Sequence, residues 1–425
     1  MRLSAPLRPT AIFRSSLLAL CVAGAALAHA PLSAAARPAD TAAQASTEPF
    51  DEAWRITRDR FYDRKLQGLD WDAVAKKHRE DYAEGKTDAA RSAAINAMLG
   101  ELGVSHTRHY TKDETGYYEL VDIFAYPLRR DIPKHFTGKD VSYPGIGVFT
   151  KTIEGKTFVS AVFPEFPADK AGLLAGDEII AADGKPFEQV GSFRGKVGDP
   201  VVLKVRREAD GPEMDITVRP KRIEPGDAFE EAVTNSARII EANGKRIGYV
   251  RVWSYAGNEY QQRLEELLSE GKLKDVDALI WDLRDGWGGA HPRYLNVFNP
   301  YGPTLELTDR DGDTNLVGYR WRKPVAMLIN NGTRSGKEVL AYGFKKNGFG
   351  QVIGERTAGA LLAATAFLLS DGSLLILAVD DAAVDGERLE GKGVAPMIEV
   401  PFDIRYAAGK DPQLDKAVEV LADGA

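Results

Sequence analysis

The sequence predicts an α/β multidomain protein in three parts: a helical N-terminal domain, a β-rich middle domain and an α/β core. Three observations carry this. Apolar residues recur at helical spacing between Phe50 and Leu102. Short strands and turns alternate from Tyr143 to Arg222. Beyond Asn243, apolar strand runs alternate with helical segments, the pattern of a largely buried mixed sheet. A chain of 425 residues exceeds one average domain. Its 44% hydrophobic and 28% charged residues exclude a collagenous, disordered or coiled-coil protein. With 55 Lys+Arg against 62 Asp+Glu, the net charge of −7 offers no basic field to a nucleic acid.

The first element is a targeting segment. Arg2, Arg8 and Arg14 precede the apolar run Leu17 to Ala28, and small-residue exits follow at Ala28-His29-Ala30 and Ala34-Ala35-Ala36. A basic start, a short apolar core and a small-residue exit compose a secretory signal peptide, assigned to residues 1–36. The run is too short for a comfortable membrane span, and no later stretch approaches spanning length. A periplasmic or secreted protein is expected. Cleavage near Ala36 removes three arginines, taking the charge from −7 to −10, together with Cys21, the only cysteine. The mature chain then has no disulfide framework, no Cys-zinc site and no cysteine nucleophile.

Residues 37–48, rich in Ala, Pro, Ser and Thr, read as a flexible leader. The helical domain is assigned to 49–125, with Phe50, Trp54, Phe61, Trp71, Val74 and Tyr82 on apolar faces. Within it a helix from Asp88 to Leu102 stops at Gly103. Residues 126–142, with charged pairs and prolines, read as a connection. The β-rich domain is assigned to 140–222, with a turn at Asp183-Gly184 and a strand at Val201 to Val205. The core is assigned to 236–405. It opens with the hairpin signal Asn243-Gly244 before a strand from Ile247 to Val252, with further strands at Ala278–Trp281 and Val325–Ile329. A C-terminal helix occupies 406–425.

The middle unit resembles a PDZ domain in its Pro144-Gly145-Ile146-Gly147-Val148 turn, its Pro167–Ile179 segment and its Val201–Arg207 strand. The resemblance implies that Gly145, Ile146 and Gly147 hold the terminal carboxylate of a peptide that adds as a strand to the sheet edge. The third unit carries Asp282-Leu283-Arg284-Asp285-Gly286-Trp287-Gly288-Gly289, then Asn331-Gly332-Thr333-Arg334-Ser335-Gly336-Lys337-Glu338. Gly354-Glu355-Arg356-Thr357-Ala358-Gly359 follows, and the pattern runs on to Leu389-Glu390-Gly391-Lys392-Gly393-Val394-Ala395-Pro396. In that order these motifs resemble the C-terminal processing (tail-specific) serine peptidases, from Phe50 to about Val400. The resemblance implies a crotonase-like ββα core and a polypeptide substrate, with Ser335 aligned to the family nucleophile. A helix beginning at Ser335 would present the Gly336 N–H which, with Gly288 or Gly289, forms an oxyanion hole. The same Ser335-Gly336-Lys337-Glu338 stretch also has the form of a capping box.

One departure matters. Tail-specific enzymes carry a lysine base in Thr-Phe-Gly-Lys, where this chain has Thr357-Ala358-Gly359-Ala360. Lys337 does not substitute, because i and i+2 on a helix face different ways. The tricorn-core branch resembles this chain in its Ser105-His106 pair and in Glu390. That resemblance implies His106 as general base for Ser335, oriented by Ser105 or Glu390. His291, beside the glycine loop, is the competing base, and His109 a weaker one. Met397 stands where the family often has Asp. The six histidines form no metal-binding spacing and there is no phosphate loop, so no metal or cofactor is expected. The alternative function is a catalytically silent binder of peptides or of small apolar ligands on the same fold; an apolar carrier requires a closed cavity with His106 elsewhere.

Overall fold

The computed structural model describes residues 47–136, 141–303, 305–317 and 319–424. The signal peptide and nearly all of the leader expected from the sequence lie outside the described residues. Residues 45–425 cluster as one unit by their contacts.

The core is built on a six-stranded sheet. Its strands run in the order Arg238–Ala242, Lys245–Arg251, Ala278–Asp282, Val325–Ile329, Gln351–Gly354 and Ile398–Glu399. The first two form an antiparallel hairpin, turned by Asn243 and Gly244 at φ +49° and +74°, and every later pairing is parallel. Ala278–Asp282 and Val325–Ile329 are buried along their whole length, as central parallel strands covered on both faces are. Leu279, Trp281, Met327 and Ile329 face helices Glu259–Ser269 and Gly336–Lys346, through Leu264, Leu340 and Phe344. Ile280, Ala326 and Leu328 face Ala417 and Leu421 of helix Pro412–Asp423. The alternation follows from the two-residue period of a strand.

This topology gathers the sequence motifs. The loops opening at Leu283, Asn330 and Glu355 all leave the C-terminal ends of adjacent parallel strands, where open α/β sheets place their sites. The N-terminal part reaches the same place through a three-stranded sheet. Strand Arg108–Tyr110 pairs with Leu374–Asp380, Arg108 opposite Ile376, and Ala363–Leu368 completes it. Helices Glu48–Arg60, Trp71–Glu84 and Asp88–Gly100 pack Phe50, Trp71, Tyr82, Ile95 and Leu99 against Leu375 and Leu377 of that sheet. Ser105-His106 is thus fixed on the core by strand pairing behind it.

The β-rich domain is an antiparallel sheet ordered Val148–Ile153, Lys156–Val162, Glu178–Ala182, Val201–Arg206 and Glu213–Val218, closed over Ile146, Val159, Leu173 and Leu203. Val148–Ile153 is one of its two edge strands, Glu213–Val218 the other. One expectation needs correction. Residues 126–142 are not a plain connection: helical turns Ala125–Leu128 and Ile132–His135 interrupt them, burying Leu128 and Ile132. Pro127 and Pro133 sit in the first turns of these helices, where a missing N–H costs no hydrogen bond.

Candidate active site

Ser335 stands at a strand-to-helix turn, N-capping helix Gly336–Lys346, with φ +56° and ψ −131°. A left-handed φ at a residue with a side chain is strained and is held only when its surroundings over-determine it. Here they do. The Ser335 N–H donates to the Ala360 carbonyl at 2.8 Å and to the Glu338 carboxylate at 3.2 Å. Glu338 also accepts the N–H groups of Gly359 and Ala360, each at 2.8 Å, and the Thr357 hydroxyl. Burial pushes the Glu338 carboxyl up, against the pull of these donors.

The glycine loop lies directly on this turn. A Cβ at Gly288 would overlap the Ser335 Cβ and stand 2.8 Å from the Gly336 nitrogen. Among the described residues, the N–H groups of Gly288, Gly289 and Gly336 donate to no other protein group. Gly288 and Gly289 line the same cavity as Ser335 and Gly336 follows it in the chain, so free donors of the kind an oxyanion hole uses stand at the serine turn. Lys337 holds the loop from behind. It is fully buried, and its ammonium donates to the carbonyls of Val252 at 2.7 Å, Asp285 at 2.8 Å and Trp253 at 3.4 Å. Burial among neutral acceptors lowers its pKa to about 7.

His106 opens on the same cavity of about 550 Å³ as Ser335, Gly288 and Gly289. Its Nδ1 lies 2.8 Å from the Ser105 hydroxyl, which lies 2.8 Å from Glu390 Oε2. Glu390 also accepts the Ser105 N–H at 2.8 Å and the Leu361 N–H at 2.7 Å. The tautomer follows from counting protons. A carboxylate only accepts, so the single Ser105 proton goes to Glu390, and the Ser105 oxygen must accept from His106 Nδ1–H. The lone pair then resides on Nε2. Burial lowers the His106 pKa to about 4, with Glu390 opposing and Arg334 assisting, which keeps the imidazole neutral. His106 and Ser335 share the cavity without a direct hydrogen bond. Such contacts often tighten only with substrate bound.

Residues 246–400 match the model of peptidase family S41, residues 43–100 that of the tricorn protease C1 domain, and residues 144–218 that of the PDZ domain. Residues 246–400 form a peptidase family S41 domain. The domain is of the serine peptidase type. Carboxyl-terminal-processing peptidase 3 of Arabidopsis thaliana chloroplasts is 26% identical over 370 residues, 82% of this chain and 67% of that relative. Putative tricorn protease homolog 2 of Streptomyces coelicolor is 27% identical over 401 residues, 88% of this chain and 32% of that relative. The chain thus spans about two thirds of one and a third of the other. The tricorn protease crystal structure shares the fold, with a TM-score of 0.51 at 20% identity over 89% of this chain and 36% of that one.

The two other histidines considered as bases lie elsewhere. His291 is exposed and caps the turn Pro292–Phe298, accepting the Arg293 N–H at 3.1 Å. His109 is buried between the Ser92 and Ser373 hydroxyls, at 2.8 and 2.7 Å, and lines a different cavity. Ala360, which stands where the tail-specific pattern has lysine, accepts the Ser335 N–H and lines the same cavity. Met397 is exposed. Among the described residues no His, Cys, Asp or Glu cluster is suited to a metal ion, and no helix is long and apolar enough to cross a membrane.

In the PDZ domain, the groove beside Gly145, Ile146 and Gly147 holds only about 10 Å³ of space. Gln189 closes it, donating to the Thr150 hydroxyl at 2.8 Å and accepting the Thr115 N–H at 3.1 Å. Sequence reasoning missed Glu119. It is 2% exposed on helix Thr115–Ile123 and accepts the Trp287 indole N–H at 2.8 Å and the Tyr143 hydroxyl at 3.5 Å. Burial raises its pKa to about 7. No motif marks it, because its partners lie on two other domains of the chain.

Proposed function

We propose that the protein is a periplasmic serine endopeptidase that cleaves unfolded or C-terminally exposed polypeptides with a Ser335–His106–Ser105–Glu390 tetrad. One observation carries the reading: the Glu390–Ser105–His106 relay ends in an imidazole that lines one cavity with Ser335, Gly288 and Gly289. Ser335 gives its proton to His106 Nε2 as its oxygen attacks the scissile carbonyl. The oxyanion meets the N–H groups of Gly336 and of Gly288 or Gly289. His106 returns the proton to the leaving amine, and water, activated in the same way, releases the acyl group. Ser105 and Glu390 keep the tautomer and stabilise the imidazolium. An apolar carrier requires His106 away from the cavity, and it lines the cavity.

The C-terminus of the substrate would bind at Gly145–Gly147 of the PDZ domain once Gln189 withdraws, adding to the free edge of strand Val148–Ile153. The basic and apolar N-terminal segment supports export. Casein or a tailed unfolded protein, incubated with wild type, Ser335→Ala and His106→Ala, tests the reading. Wild type degrades it and neither variant does; undiminished cleavage by Ser335→Ala sinks it. N-terminal sequencing of periplasmic protein tests the export, with a start near residue 37 expected.

A further inference from the structure

The catalytic cavity has an uneven lining. Its apolar lining includes Leu120, Ile123, Phe124, Leu362 and Ile376, while two arginines and no Asp or Glu line the cavity. The arginines differ. Arg108 is paired with Glu114 at 2.6 Å. Arg334, adjacent to Ser335, commits only its Nε, to the Gly332 carbonyl at 3.3 Å, and among the described residues its terminal nitrogens meet no acceptor. Its guanidinium lies 5.8 Å from the Trp287 ring centre, and the indole N–H is held by Glu119 at 2.8 Å. An unpaired planar cation on a fixed aromatic platform is preorganised to take a carboxylate through two parallel hydrogen bonds.

We propose that Arg334 is a specificity-determining residue that binds a carboxylate of the polypeptide, a side chain's or the chain terminus's, beside an apolar side chain seated in the cavity. This rests on the peptidase reading above. The cavity wall excludes a charged side chain from the apolar subsite, and Arg334 rewards an anion next to it. Substrates would therefore be selected for an apolar residue flanked by negative charge.

Three peptides with one common apolar residue at the scissile bond test this: Gln-flanked and amidated, Glu-flanked and amidated, and Gln-flanked with a free C-terminus. In wild type, at least one carboxylate peptide should exceed the neutral one in kcat/KM by about tenfold, the worth of a charge-assisted hydrogen bond. The two charged arms tell which source of carboxylate is used. Arg334→Ala should bring that ratio close to one, Arg334→Lys should keep part of it, and Arg334→Glu should invert it. A wild-type ratio near one, or a ratio unchanged in Arg334→Ala, overturns the assignment. Anisotropy titration of the same peptides into Ser335→Ala gives the preference without turnover, and equal affinities there also overturn it. Cleavage surviving in Ser335→Ala would instead bring down the peptidase reading, so the two failures are distinct.

Discussion

A serine hydroxyl attacks a peptide only when a base takes its proton, and the sequence lacks the lysine that does so in tail-specific enzymes. The structure places at His106 an imidazole whose proton is fixed on Nδ1 by Ser105 and Glu390. Removing His106 should lower kcat by about 100- to 10,000-fold, the usual contribution of a general base, with KM little changed. Ser105→Ala and Glu390→Gln should lower kcat by less, measured on the same substrate. The pH profile has a definite sign. Only the neutral imidazole works, and burial holds its pKa at about 4, so kcat/KM should stay flat on acidification through 6.5 and fall only near 4. A limb at 6.5 would mean that a solvated histidine is the base. Ser335, Ser105, His106 and Glu390 were legible because each stands within or beside a motif. Arg334 and Lys337 stood in the same motif, but nothing in a sequence shows where an arginine or lysine side chain ends.

At the scale of elements, the site depends on how closely the glycine loop rests on the serine turn. Gly288→Ala should abolish cleavage while leaving secondary structure intact by circular dichroism, because its methyl group would occupy the space of the Ser335 Cβ. Lys337→Met removes the donor to three carbonyls and should cost about 1–3 kcal/mol of stability, read by denaturant melts, with kcat falling more than KM as the loop loosens. The strands and helices of the core were readable from their periods. Asn243-Gly244 fulfilled its turn signal, while the helix expected to run to Leu102 ends at Gly100, three residues before Gly103. Residues 126–142 were misread because four-residue helices are too short to show a period, and proline at a helix start looks like proline in a loop.

At the scale of the whole molecule, contacts between distant segments decide what no local pattern reveals. The pairing of Arg108–Tyr110 with Leu374–Asp380 brings His106 to a serine more than two hundred positions away. Order along the chain was legible through the motifs, but this docking was not. Glu119 joins Trp287 of the glycine loop to Tyr143, two residues before Gly145. Its carboxyl, raised to about 7 by burial, binds its proton more tightly in the folded state than in the unfolded chain. The stability it contributes is therefore present below about pH 4.3 and lost as pH rises through about 7, a swing of about 4 kcal/mol. Glu119→Gln should remove that dependence, so the melting-temperature gap between wild type and variant should change between pH 4.5 and 7.5. A constant gap would place the carboxyl in solvent.

The central claim is that His106 activates Ser335, and covalent labelling by a fluorophosphonate, read by peptide mass spectrometry, tests it without any choice of substrate. The account predicts a single adduct on Ser335 in wild type at pH 7, and labelling in His106→Ala slower by about 100-fold or more. An adduct on another residue, or equal labelling of Ser335 in the two proteins, would contradict it.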